Sequence, residues 1–470
     1  MSAVSVTQDY IENITYDELT IGQNARQVRT LALADIQAFA AMSSDLNPTH
    51  IDAAYANSSL MHGLTAHGMW GGMLISSLLG TVLPGPGTVY AEQILHFLLP
   101  VGVGDTLTVT LTVLAKEATK QRVTLDCKIV NQRGATVLTG TAVVLAPLLR
   151  VRRLAVQLPQ VRTFDPQARL QALLDSVSHL AAVRCAVVHP CDAESLRGAL
   201  DAARHGLIIP VLVGPQAKLR ALADSAGLDL EGVEIQSVAH SVAAAERAVK
   251  LAVSGNVEAM MKGSLHTEEL MHAVVTSREL CTKRRLSHVF RFDVPMYDKP
   301  LLITDAALNV HPTLEEKADI IQNAINLAHA LGQPCPNVAI LAAVETVNVK
   351  MQSTIDAAAL CKMADRGQIT GGALDGPLAF DNAVSMESVR IKGIKSTVAG
   401  NADILVVPDL EAGNMLAKQL QYLGGATACG VVLGALVPIA LTSRADGADA
   451  RVASAVLALL MAHHYRKVRQ

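Results

Sequence analysis

Two stretches of this chain carry residue types at spacings that could do chemistry. In residues 44–80, SDLNPTHIDAAYANSSLMHGLTAHGMWGGMLISSLLG, Asp45 and His50 flank the turn signal Asn47-Pro48. If the turn folds them together they form an acid/base pair. Further on, His67-Gly68 precedes an apolar helical pattern of Met69, Trp70, Met73, Leu74, Leu78 and Leu79. Free backbone N–H groups near Gly68 would suit a developing oxyanion, because the helix dipole favours negative charge there. Ser76 lies within that apolar helix and needs a partner, either in a site or on its own helix backbone. An isolated Asp/His pair is more often structural than catalytic. His62 reads as structural.

The second stretch is spread over the last 300 residues. The loops at residues 261–267 (MKGSLHT), 304–309 (TDAALN), 343–348 (AVETVN) and 442–446 (TSRAD) each place polar groups after an apolar run. Open α/β sheets bind ligands at such strand ends. Thr442-Ser443-Arg444 offers two hydroxyls beside a guanidinium, which suits phosphate. Taken singly, Arg444, Lys262, Asp305 and Glu345 would read as surface ion-pair formers. GxxxxGK[ST] is absent and no GxGxxG follows a strand, which disfavours nucleotide hydrolysis and a dinucleotide site.

The elements that must hold these residues fall into three zones. Up to about residue 147, helix signals give way to period-two alternation at residues 106–114 and 122–130. A turn at 131–134 and a further strand at 135–145 follow. This predicts a sheet wrapped around one helix. Residues 149–163 hold Arg150, Arg152, Arg153 and Arg162 with no acid, and read as a linker or partly docked arm rather than a phosphate-binding patch. From 164 onward, short apolar strands (185–189, 208–213, 257–261, 301–304, 338–341, 404–407) alternate with amphipathic helices, a parallel α/β pattern. That zone is long for one domain, so two lobes with a cleft are expected.

Composition sets limits on function. Half of the 470 residues are hydrophobic and 17% are charged, which excludes intrinsic disorder. Aromatic residues make up only 3%, so stacking platforms for single-stranded nucleic acid are lacking. A net charge of −3 gives no general attraction to nucleic acid or anionic lipid. The seven cysteines are scattered without a CxxC, which fits a reducing cytoplasm and no zinc site. No signal peptide or membrane span is expected.

Taken together, the motifs say more. DLNPTHID (residues 45–52), HGM (67–69), LPGPG (83–87) and PVGVGDTL (100–107) occur in an order and spacing that resembles the MaoC-like (R)-specific enoyl-CoA hydratases of the hotdog fold, over nearly all of residues 10–147. The resemblance implies that Asp45 and His50 are the catalytic pair, that the Gly68 N–H holds the thioester oxygen and that Ser76 is a secondary polar group. It also implies pairing into a homodimer or higher homo-oligomer. VEAMMKGSLHTEEL, SHVFRFDVP, LLITDAALNV, VAILAAVETVN, DGPLAFDNAVS, KSTVAGNADILVVPDLEAGNMLAKQL and PIALTSRADG resemble the phosphate acetyl/butyryltransferases over about residues 170–465. This implies a two-lobed α/β domain that exchanges coenzyme A for phosphate on an acyl group.

The implied roles are Ser443 and Arg444 on the phosphate oxygens, Lys262, Ser264 and Thr267 lining the cleft, and Asp305 and Asn309 close by. An acid after the Ser-Arg pair would be the base for the thiol; both Asp446 and Asp449 are available, and Asp446 is preferred. Tyr422 stands where many acetyltransferases carry a second anion-binding Arg, which looks more like the butyryl branch. The expectation is a hotdog domain over residues 1–148, a linker over 149–163 and the transferase domain over 164–470. Acyl-CoA and phosphate are the expected small-molecule substrates. No bound cofactor, metal, nucleic acid or membrane is expected.

Overall fold

The computed structural model describes residues 10–156, 163–443 and 446–469. The chain divides into two compact units, Met1–Thr163 and Phe164–Gln470.

In the first unit, five antiparallel strands lie in the order Asn24–Thr30, Thr106–Glu117, Arg122–Val130, Thr136–Leu145, Val89–Phe97. The alternation TLTVTLTVL buries Leu107, Val109, Leu111 and Val113 on one face. They share a core with helix Gly68–Thr81, which buries Trp70, Leu74, Ile75, Leu78 and Leu79. This is the sheet around one helix that the pattern predicts. The two outermost strands carry little period-two signal: Asn24–Thr30 is mostly exposed, and Val89–Phe97 is interrupted by Glu92, Gln93 and His96. At Gly140 a Cβ would lie 2.0 Å from the Ile94 carbonyl, so only glycine permits the close approach of these two strands.

The basic segment is a docked arm through Leu154. Arg152–Leu154 pairs antiparallel with Tyr10–Glu12. Arg150 bonds Glu18 at 2.7 Å, and Arg152 bonds Glu12 at 2.8 Å while lying over the Tyr10 ring. Those two guanidiniums are matched by acids of the same unit. Arg162 lies outside the described residues.

Among the described residues the second unit is built on one sheet of eleven strands. Five parallel strands come first: Glu234–Ser237, Ile208–Gly214, Val183–Val188, Ala259–Lys262 and Ile439–Ala440. Thr427–Leu433 and Ser287–Asp293 follow, each antiparallel to its predecessor. Leu301–Thr304, Ile404–Val406, Asn337–Leu341 and Ala373–Leu378 then run parallel to one another, in the direction opposite to the first block. The two expected lobes are thus two oppositely directed blocks within a continuous sheet. Apolar clusters lie on both faces of each block. The two central antiparallel strands do not follow the simple strand–helix alternation, and for that reason the parallel pattern alone does not reveal them.

Candidate functional site

In the first unit the chain builds its polar cluster by local capping. Ser44 ends helix Leu33–Ser43 in the left-handed conformation, φ 57°. The Asp45 carboxylate then accepts the Asn47 N–H at 3.1 Å. Asn47 caps the short helix Pro48–Ile51 by accepting the Thr49 N–H at 3.1 Å, with Pro48 at its first position. His50 sits on that turn, and its Nδ1 is 2.8 Å from the Thr65 carbonyl. A ring nitrogen at that distance from a carbonyl must carry the proton, so Nε2 of the neutral ring holds the lone pair.

His67 completes the cluster. It precedes helix Gly68–Thr81, is 3% exposed, and stacks on His50 with ring centroids 4.0 Å apart. Its Nε2 lies 3.9 Å from Asp45 Oδ2, whose side chain is 45% exposed. Neither ring nitrogen of His67 has a hydrogen-bond partner among the described residues. Burial lowers its pKa first and the neighbouring His50 second, while the Asp45 charge opposes both. Ligand-type atoms of Asp45, His50 and His67 all lie within 4.8 Å of one another.

A cavity of about 490 Å³ opens beside this cluster. His50, His67 and Gly68 are among the residues that line it, together with the apolar Trp70, Leu107, Ile129 and Leu138. The first N–H groups of a helix lack intrahelical acceptors, and Gly68 is the first helical residue. The structure therefore brings Asp45, His50 and Gly68 together. It does not bring Ser76 to them. Ser76 lies on the exposed stripe of the helix with Met69 and Met73, eight residues or roughly 12 Å along the axis from Gly68. His67 was missed as a separate functional group; the HGM motif held it, but the sequence does not say that its ring meets His50.

In the second unit the first block's strand ends carry a second cluster. Lys262 ends its strand and is buried. At Gly263 a Cβ would lie 2.4 Å from the Val188 carbonyl, so the neighbouring strand can pass only a glycine. Ser264 donates to the His189 carbonyl at 2.8 Å and accepts from the Cys191 N–H at 3.2 Å. His189 itself holds φ +51°, the left-handed region that side-chain-bearing residues seldom occupy. Thr267 begins helix Thr267–Thr276 directly after this loop.

Strand Ile439–Ala440 lies beside Ala259–Lys262, so Thr442 and Ser443 emerge at the same edge. The Ser443 N–H donates to Asp446 at 2.6 Å, whereas Asp449 accepts from Gln167 at 2.9 Å. Arg444 lies outside the described residues.

Arg451 is a further group at this edge. It is 2% exposed, donates to Thr442 Oγ1 at 3.0 Å, and feels the charges of Asp192 and Asp446. A Cβ on Gly198 would lie 2.6 Å from Arg451 Cδ, so that glycine makes room for the arginine stem. Its sequence signal is weak, because an Arg at the start of a long helix usually faces solvent.

Asp305 and Asn309 are not close to this edge. Thr304 pairs with Val289, Val289 with Val431, Val431 with Ala440 and Ala440 with Met261. Met261 and Thr304 are therefore level across four strand spacings, roughly 19 Å. From there the antiparallel directions send Lys262 and Asp305 to opposite edges of the sheet. Asp305 is instead part of a buried network: it accepts from the Ala307 and Leu308 N–H groups and from Asn309, which in turn donates to the Leu286 carbonyl and accepts from Arg285. The expectation of proximity fails because a polar loop after a strand does not reveal which way that strand runs in the sheet.

Comparison with known proteins matches both units. A family described as MaoC like domain matches residues 18–132, and one described as phosphate acetyl/butaryl transferase matches residues 236–459. Over 281 residues the chain is 61% identical to the phosphate acetyltransferase of Rhizobium meliloti, covering 60% of this chain and 89% of that protein. The chain belongs to the phosphate acetyl/butyryltransferase family, with a MaoC-like hydratase domain joined to its N-terminal side.

The phosphate butyryltransferase of Clostridium beijerinckii is 40% identical over 291 residues, covering 62% of this chain and 96% of that protein. A branched-chain phosphotransacylase from Enterococcus faecalis superposes with a TM-score of 0.53 at 30% identity, covering 60% of this chain and 99% of its own. Tyr422 is an exposed residue at the end of helix Leu410–Tyr422. This family member is a bifunctional acyl-CoA enzyme, with hydratase and acyltransferase domains in one chain.

Proposed function

We propose that the first unit adds water across a 2-enoyl-CoA to give the (R)-3-hydroxyacyl-CoA, or runs the reverse. The second unit moves an acyl group between coenzyme A and inorganic phosphate. The observation that carries the hydratase assignment is the convergence of Asp45, His50 and Gly68 beside an apolar cavity. Hydration needs a base for water, a proton for the α-carbon and a donor to the enolate oxygen. His50 Nε2 and the Asp45 carboxylate serve the first two through one water. The proton taken from that water's O–H is returned to C2 as the oxygen bonds to C3, and the Gly68 N–H holds the thioester oxygen throughout.

In the second unit Lys262, Ser264, Thr267, Ser443 and Arg444 bind the phosphate or acyl-phosphate oxygens, and the buried Arg451 adds positive charge behind Thr442. Asp446 removes the thiol proton, since the thiolate is the attacking form. The Ser443 N–H places Asp446 beside the proposed phosphate loop, whereas Asp449 is engaged by Gln167, and that placement supports Asp446 over Asp449. Attack of the thiolate on an acyl phosphate releases phosphate and forms the thioester; phosphate attack on the thioester reverses it.

The edge strand Val89–Phe97 exposes Val89, Tyr90, Ile94 and Phe97, and we assign it to pairing with a second copy in a homo-oligomer. No described helix is long and apolar enough to cross a membrane. We assign the chain to the cytoplasm, a reading that its free cysteines support. A reading in which only one domain is catalytic and the other is a scaffold or acyl-CoA sensor is the alternative.

Two assays on the purified chain test this: loss of enoyl absorbance with crotonyl-CoA, and phosphate-dependent release of CoA from acetyl-, butyryl- and 3-hydroxybutyryl-CoA. Both activities are expected, with Arg444→Ala abolishing only the second. Hydration without any phosphate-dependent release would make the second unit a scaffold or sensor.

A further inference from the structure

We propose that Asp45, His50 and His67 form a three-ligand site for a divalent transition-metal ion, with zinc the best match, and that its occupancy shuts off chemistry in the adjoining cavity. The inhibitory part rests on the hydratase assignment above; the binding part does not.

One carboxylate oxygen and two imidazole nitrogens lie within 4.8 Å of one another. Zinc takes nitrogen and oxygen ligands at about 2.0–2.2 Å, which puts tetrahedral ligand atoms roughly 3.4 Å apart. Closing the set therefore needs movements of about 1 Å. The Asp45 side chain, 45% exposed, has room to make them.

Each imidazole is prepared for a metal in a different way. The Nδ1–H of His50 is committed to the Thr65 carbonyl, the outer-shell bond that typically orients a ligating histidine and leaves Nε2 to the metal. His67 is buried and has no hydrogen-bond partner on either nitrogen among the described residues, so its lone pair has no protein donor to give up. A buried, unpartnered imidazole aimed at a carboxylate 3.9 Å away is costly unless something fills the gap.

Two imidazoles and one carboxylate suit zinc and its neighbours in the first row, not magnesium or calcium, which prefer all-oxygen shells. The fourth position would open toward the cavity that His50 and His67 line. A bound ion would take the His50 and Asp45 lone pairs that activate water, so metal and enoyl thioester would exclude each other.

The test uses the full chain stripped with EDTA and titrated with Co²⁺ as an optical probe, then with Zn²⁺ in competition. One equivalent of Co²⁺ should bind with ligand-field bands and no thiolate charge transfer. Zn²⁺ should displace it and inhibit crotonyl-CoA hydration reversibly by EDTA, while phosphate-dependent CoA release is unchanged. His67→Gln should weaken Co²⁺ binding at least tenfold, and so should Asp45→Asn, whose exposed side chain makes a folding defect easy to exclude by circular dichroism. Equal Co²⁺ affinity in the wild type and both variants overturns the site, as does a thiolate charge-transfer band. Binding lost in both variants of a chain that never hydrates crotonyl-CoA upholds the site and removes the hydratase assignment. Hydration in a chain that binds no Co²⁺ does the opposite.

Discussion

The polar cluster of the first unit and that of the second are assembled in different ways. Asp45, His50, His67 and Gly68 fall within one short stretch, held by an Asx cap, a proline-started turn and a helix N-terminus. His189, Lys262, Ser264, Ser443 and Arg451 come from across the second unit, and only the pairing of strand Ala259–Lys262 with its neighbours on either side collects them. A locally built site depends on turn chemistry and tolerates change elsewhere. A site built from strand ends depends on the register of the whole sheet.

The largest effect expected from this contrast is separation of the two activities. Asp45→Asn should lower hydration by about 10²–10⁴-fold, the usual range for a lost acid–base group, and leave phosphate-dependent CoA release within twofold. A parallel loss of both activities would show that the two sites are not independent.

Gly263→Ala should do the reverse. Its Cβ would meet the Val188 carbonyl at 2.4 Å and His189 backbone atoms at 2.7 Å, with no flexible side chain to give way. Destabilisation of the second unit by about 1–3 kcal/mol is expected, as for other overpacked buried sites. Transferase activity should be lost at ordinary temperatures while hydration persists, and differential scanning calorimetry would separate the two transitions.

Acid should also act unequally. Burial inside the second unit holds the His288 pKa down at about 4, against 6.5 for a free imidazole. Between those values the unfolded chain binds the proton and the folded one does not, so stability is full above pH 6.5 and declines as pH falls toward 4. The loss is of order 3 kcal/mol for a shift of this size. Denaturant titrations of the second unit at pH 7 and pH 4.5 should show a drop that His288→Gln makes smaller. The same slope in wild type and variant would assign the acid sensitivity to other groups.

The smallest effect is expected at Ser76. Its exposed place on the helix, away from the cavity lining, predicts that Ser76→Ala changes crotonyl-CoA hydration by less than about twofold.

Much of the first site was legible because its determinants are short-range. The Asn47-Pro48 turn reports where a helix starts, and HGM followed by an apolar period reports where the next one does. What the sequence withheld there was His67, since no local rule says that a ring 17 residues beyond His50 will stack on it. In the second unit each loop was recognisable as a strand end, but the grouping of loops was not. The central strands Ser287–Asp293 and Thr427–Leu433 reverse the direction of everything beyond them and carry Asp305 to the far edge.

By itself, then, the sequence determined the central strands and the one long helix of the first unit, and the strand–helix alternation of the second, because hydrophobic period, caps and turns act over a few residues. Only the tertiary structure decided which of the chemistry-bearing residues meet. Strand direction and order are fixed by backbone pairing between segments far apart in the chain, and the burial of Arg451 and Asp305 follows from that pairing, whereas His67 is buried by the rings of Phe39 and His50 that pack on it. Their own neighbours in the sequence do not specify it.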